Sequence, residues 1–483
     1  MKSIKYLFIG ALMTVMSAPA MAQATIDDAI KAIKSNITVK EKEAAIKAAK
    51  LDKKNPALMA KIGRAFLDVK DTLSARKYAD LAIKTGMKNP ANSVGYILLG
   101  DIEVFNDNPG EAAVWYQNAM MCDEKNAEAY KKYAFIYRGR DPRQAVETLE
   151  RLRQVDPTYP VDAEAGHIYY LSASKSDEYL PLALQSYQKV SLDDLAKLEN
   201  GYLTEYALVA FISQKNADSK KAAEYGLKAK PRNAGYNRLA MYNSVELKQF
   251  EDAVKYVDAL FNKSDSVELS GNDYKFAALA YTGVENHEQA LAMRLKQKEV
   301  AETAEAKALI MKDISDTYRA LGEMDKALEA YDEFITKNPN TSANDYAGYA
   351  NIYRNLSAAE GLEAAAKEEY INKAVSIYMG MIEKFPTSAD YSNFMAARTI
   401  QALDADQKKG LAVPYYTALF QSISAAGIKD KSDTARITEA CQYLGIYYFK
   451  IKNDNDSAKP YFLKLQEIDP ENALAKQVLE ILK

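Results

Sequence analysis

The stretch Lys326-Ala327-Leu328-Glu329-Ala330-Tyr331-Asp332-Glu333-Phe334-Ile335-Thr336-Lys337-Asn338-Pro339 decides the reading of this chain. Ala327, Tyr331 and Phe334 stand at i, i+4 and i+7, one apolar stripe along a helix. Pro339 ends that helix, because it lacks an amide hydrogen and clashes with the preceding turn. The same template returns as Ala145, Leu149, Leu152 and Pro157, as Ala374, Tyr378, Met381 and Pro386, and as Ala458, Phe462, Leu465 and Pro470. Without the proline it also begins at Ala75, Ala112, Ala183, Ala222, Ala253, Ala290 and Ala412. Successive alanines lie 31 to 47 residues apart, a spacing that marks a repeated supersecondary unit.

Upstream of each stripe a small residue is followed three later by an aromatic: Gly63/Phe66, Gly166/Tyr169, Ala278/Tyr281, Ser315/Tyr318, Ala350/Tyr353 and Gly445/Tyr448. Each unit is therefore read as a pair of helices. The small residue admits close helix approach and the aromatic is expected to fill the groove beside it, so many of the 34 tyrosines serve packing.

Leu99-Gly100, Tyr318, Gly322, Ala327, Tyr331 and Pro339 fall where the tetratricopeptide repeat (TPR) has its Leu-Gly, Tyr, Gly, Ala, aromatic and Pro positions. The chain resembles the TPR superfamily, in an exported bacterial form, over nearly its whole length. The resemblance implies an all-α fold: a right-handed superhelical solenoid of about eleven to twelve TPR-like helix pairs. The pattern departs from the family around Ala222, where Pro231 comes early, around Ala412, which lacks the small-to-Tyr signature, and at Ala358 to Glu369, which reads as a helical insertion.

The organisation expected is a signal peptide over 1–22, a degenerate N-terminal capping repeat over 23–55 and a TPR array over 56–339. A TPR array with helical insertions over 340–471 and a C-terminal capping helix over 472–483 complete it. The signal rests on Lys2 and Lys5, the apolar run Leu7 to Met16 and the small-residue site Ala20-Met21-Ala22. Such a leader points to export, to the periplasm of a Gram-negative bacterium. A eukaryotic lumen would instead make Asn340 and Asn355 glycan acceptors. No later stretch is apolar for long enough to span a bilayer, so no direct membrane insertion is expected.

With 63 basic and 66 acidic residues the formal net charge is −3, which becomes −5 once Lys2 and Lys5 are removed. This weak acidic balance favours neither nucleic acid nor a membrane surface. Cys122 and Cys441 are the only cysteines. Units that many repeats apart stand far from each other in a solenoid, so two buried free thiols are expected rather than a disulfide.

Catalysis requires a constellation that this chain lacks. His167 and His287 are the only histidines, in different units, which argues against a zinc site or a Ser-His-Asp triad. His167, beside Gly166, reads as a groove residue satisfied by its neighbours. No phosphate-cradling glycine loop, CxxC or HExxH occurs. No enzyme activity, cofactor, metal or small-molecule substrate is expected.

The TPR resemblance implies protein or peptide partners, held in a groove to which positions five, nine and twelve of each unit point. In the unit starting at Ala308 these are Lys312, Asp316 and Arg319; in the one starting at Ala343 they are Ala347, Asn351 and Arg354. Asn237 takes the fifth position further upstream. Such donors suit a peptide carboxylate or backbone amides. The function expected is a non-enzymatic scaffold of the cell envelope. The alternative is a periplasmic holdase for exported polypeptides, with Phe135, Met241 and Ile446 at ninth positions as its apolar contacts.

Overall fold

The computed structural model describes residues 24–198 and 200–482, so the expected signal segment and its boundary at Gln23 lie outside the described residues. No β-strand occurs among the described residues. Two compact units divide the chain, one ending at Asn243 and the other beginning at Ser244.

The first unit contains α1 (Ile26–Lys34), α2 (Val39–Ala48), α3 (Pro56–Asp68), α4 (Thr72–Ala82), α5 (Ser93–Phe105) and α6 (Pro109–Cys122). It continues with α7 (Ala127–Tyr137), α8 (Pro142–Val155), α9 (Val161–Ser172), α10 (Tyr179–Gln188), the short α11 (Leu192–Lys197), α12 (Tyr202–Ile212) and α13 (Asn216–Ala229). The division falls within α14 (Ala234–Glu246). The second unit holds α15 (Phe250–Asp258), α16 (Gly271–Gly283), α17 (His287–Val300), α18 (Ala304–Ala320), α19 (Met324–Lys337) and α20 (Ala343–Ser357). It ends with α21 (Ala364–Lys384), α22 (Ala389–Ile400), α23 (Val413–Ala426), α24 (Lys431–Ile446), α25 (Asn455–Ile468) and α26 (Ala473–Ile481). Both units are all-α solenoids of helix pairs.

Local chemistry sets the helix starts. Thr25 with Asp28, Thr38 with Glu41, Ser270 with Asp273 and Ser342 with Asp345 form capping boxes, each satisfying two orphan amides of its first turn. In several pairs the turn between the two helices uses one left-handed residue. Gly322 adopts it at φ 75° between α18 and α19, but Lys70, Asp107, Gln214 and Glu285 adopt it at the equivalent turns, at φ 58° to 68°. The geometry thus repeats where the glycine does not.

The repeat alanines are the centre of the packing. Ala75, Ala112, Ala145, Ala183, Ala222, Ala253, Ala290, Ala327, Ala374, Ala412 and Ala458 expose none of their surface. Only a methyl group fits where two helices of a pair cross, and Ser315 shows how near they come: its hydroxyl donates to the Ala327 carbonyl at 2.6 Å.

The neighbour of the small residue differs from the sequence expectation. The aromatic against Gly166 is not Tyr169 but Tyr187 of the following helix, and at Gly445 it is Phe462 rather than Tyr448. Both come from the alanine stripe, so the second helix supplies the groove filler. Tyr169 instead stacks on Tyr179, with ring centroids 5.9 Å apart.

The divergent units follow the same logic. Around Ala412 the stripe is intact, with Tyr416 and Leu419 fully buried, but Gly410 turns at φ 68° and α23 starts only after the alanine. Around Ala222 the early Pro231 leaves Ala229, the third stripe position, exposed, and Tyr236 closes over Gly226. At Ala290 the aromatic position holds Arg294, buried and paired with Asp313 at 3.0 Å. Of the segment Ala358 to Glu369, residues from Ala364 on form the beginning of the 21-residue α21.

Candidate partner-binding cleft

The donors read from the sequence occupy positions of unequal availability. Lys312 on α18 donates to Asp345 at 2.6 Å and lies 5.4 Å from the Phe334 ring centroid. Asn351 on α20 accepts from the Tyr378 hydroxyl at 2.8 Å. Asp316 and Arg319, both exposed, pair with each other at 3.2 Å. Arg354 is half-buried and forms no ion pair among the described residues. Asn237, in the other unit, is only 1% exposed and donates to the Pro231 carbonyl at 3.0 Å, so its amide is spent on the fold. Met241 is fully buried and offers no apolar surface, contrary to its proposed holdase contact; Phe135 is 57% exposed and Ile446 half-buried.

The first unit contains a cleft of about 720 Å³, within the range of sites that hold a ligand or a peptide segment. Its walls come mainly from the first helices of successive pairs: Asp101 and Val104 of α5, Lys131, Lys132 and Phe135 of α7 with Arg138 capping its end, and Glu164 and His167 of α9. Asn200 and Tyr202, at the start of α12, close one side.

Spacing explains the α7 contribution. Lys131, Phe135 and Arg138 fall on one stripe, the last at the cap just past the helix end, and the buried Ala134 lies beside them at the cleft floor. Positions five, nine and twelve, counted from Ala127, are these three residues, so the rule applied near Ala308 also finds them here. Of the three, only Phe135 is among the contacts expected from the sequence. Glu164 and Tyr202 carry no comparable signal, since their place depends on how α9 and α12 pack.

Most charges in the cleft are already matched. Asp101, 8% exposed, accepts from Tyr116 at 2.6 Å and Lys132 at 2.8 Å, and also pairs with Arg64. Lys131 pairs with Asp156 at 3.1 Å and lies over the Tyr159 ring. His167 Nδ1 lies 2.8 Å from Glu205 Oε2, which also accepts from the Tyr187 hydroxyl at 2.7 Å. Burial, then the Glu205 carboxylate, raises the Tyr187 hydroxyl far above the ordinary tyrosine range, so it stays a donor. Burial and the Asp101 bond do the same to Tyr116. Two cations and a hydroxyl from three successive pairs, Arg64, Tyr116 and Lys132, thus converge on the one buried carboxylate of Asp101.

Residues 314–341 match the family model of the tetratricopeptide repeat. The chain contains a tetratricopeptide repeat. No curated protein matches this TPR chain in sequence. Among solved structures it is similar to the C-terminal part of a TPR repeat-containing protein from Cytophaga hutchinsonii, 19% identical over 57% of this chain and 99% of that one, with a TM-score of 0.44. A tetratricopeptide repeat protein from Parabacteroides merdae is 18% identical over 55% of this chain and 98% of the other, with a TM-score of 0.32. PilW, a type IV pilus biogenesis factor, is 14% identical over 45% and 98%, also at 0.32. The TPR fold is generally a protein-interaction scaffold rather than a catalyst. No helix among the described residues is long and apolar enough to cross a membrane.

Proposed function

We propose that this TPR protein is a non-enzymatic scaffold of the bacterial envelope, exported to the periplasm, and that it holds a peptide segment of a partner protein in the cleft between α5, α7, α9 and α12. The observation that carries this reading is Phe135. A large aromatic ring that is 57% exposed at the edge of a formed cleft gains free energy when a partner covers it, about 25 cal/mol per Å² of apolar surface removed from water. Val104, 42% exposed, extends the same surface from the neighbouring pair.

Export with an N-terminal leader and fractionation tests the location. Capture of partners from the envelope by wild type and by Phe135→Ala tests the site. Loss of one abundant partner in the variant is the expected result. Unchanged capture by a variant with an unchanged melt would move the contact to another face, for which Arg319 and Arg354 are the next groups to reverse. The holdase alternative shares Phe135 but predicts many unfolded clients instead of one partner.

A further inference from the structure

Resting on that reading of the cleft, the charges left after internal pairing specify the occupant. Lys131, Lys132, Asp101 and His167 all have partners within the unit. Arg138 and Glu164, both half-buried and both lining the cleft, form no ion pair among the described residues.

Each is oriented without being neutralised. The Arg138 guanidinium lies 3.8 Å from the centroid of the Phe135 ring, a contact that fixes its plane and leaves its N–H groups free to donate. Glu164 accepts from the Tyr202 hydroxyl at 2.6 Å, and that hydroxyl accepts in turn from Asn200 at 3.0 Å. Burial first and Glu164 second raise both Tyr202 and Tyr159, so these phenols remain neutral donors that hold the carboxylate in place and leave its charge uncancelled. A cation and an anion held in this way, one capping the end of α7 and the other on α9, form a preorganised dipolar site.

We infer that the cleft recognises an extended peptide segment carrying an acidic side chain for Arg138 and a basic side chain for Glu164, with an apolar side chain between them over Phe135. A carboxylate on Arg138 gains the planar N–H pair that suits it, and an ammonium or guanidinium on Glu164 completes the acceptor opposite Tyr202. A free zwitterionic amino acid would satisfy the two charges but leave the exposed Phe135 and Val104 surface uncovered. The apolar requirement therefore favours a peptide.

The test uses the full chain and fluorescein-labelled alanine-based peptides bearing one Leu between one Asp and one Lys, with the charges about two to five residues apart and in both orders. Anisotropy should detect binding for one spacing and order. Replacing either charge by Ala should weaken it about tenfold. Arg138→Gln should remove the benefit of the Asp while keeping that of the Lys, and Glu164→Gln the reverse. The double reversal Arg138→Glu with Glu164→Lys should prefer the same peptide with its charges exchanged, a gain that a misfolded variant would not show. Free lysine or glutamate binding as well as the peptide, peptides binding equally with and without charges, or no peptide binding at all would each overturn the inference. Phe135→Ala separates the two readings. If it abolishes partner capture while the charge variants bind normally, the cleft stands and its charge specificity falls; if it changes nothing, the cleft itself is wrong.

Discussion

A methyl group placed on Gly166 would stand 2.9 Å from the ring of Tyr187, closer than side-chain carbons approach one another. The same Tyr187 donates to Glu205, the partner of His167 on the cleft wall, so the glycine sets the position of a polar network as well as a helix contact.

Gly166→Ala is therefore expected to destabilise the first unit by about 1–3 kcal/mol, as overpacking does in a close-packed junction. Gly139→Ala, where nothing lies within 4 Å of the added carbon, should change stability little. Trp115 is the only tryptophan and stacks on Tyr96 within the first unit, so its fluorescence follows this unit during melting. Equal midpoints for the two variants would contradict the geometry.

In the second unit the corresponding contrast is Ala327 against Lys337. Ala327→Leu must place three more carbons where Ser315 already bonds the Ala327 carbonyl, and a loss of about 1–3 kcal/mol is expected. Lys337 is well exposed and pairs with Glu333 at 3.1 Å, so Lys337→Ala should cost under about 1 kcal/mol. Circular dichroism melts of both variants check the difference.

Acid should loosen the α18 to α20 region through Asp345. Burial alone would raise this carboxyl, but the bonds from Lys312 and Ser342 outweigh burial and hold it below the ordinary value. A folded-state pKa below the unfolded one contributes stability that is present above about pH 4 and lost as pH falls through the folded value. Asp345→Asn should therefore be less stable than wild type at neutral pH, with the gap closing as pH falls below about 4. A constant gap across that range would assign the stabilisation to something other than the charge.

The thiols should be silent in the folded chain. Burial pushes Cys441 up to about 12 and also raises Cys122, so neither forms thiolate near neutrality. Alkylation should proceed only as fast as local opening: Cys122, whose thiol meets the Asn89 carbonyl at 3.1 Å, reports on the first unit and Cys441 on the second. Rapid labelling of either one in a native buffer would show that its helix opens without unfolding.

The pattern of small and large apolar residues determined the fold by itself. An alanine that must vanish between two helices, and stripe partners at four and seven residues, can be read from one sequence because helix periodicity maps spacing onto a face. That is why all eleven repeat alanines are found buried. Turn geometry was legible only where glycine marks it, at Gly322; at Lys70 and Glu285 the helix packing on either side imposes the same left-handed backbone on residues that do not announce it. Which side chains remain for a partner was decided by tertiary structure. Position on a helix made Lys312 and Asn237 resemble one another, but pairing with Asp345 and burial separate them from Arg138 and Glu164, which line the cleft without an ion pair among the described residues. Charge availability depends on what neighbouring helices bring within about 3 Å, and that distance is set by packing between repeats, not by spacing within one.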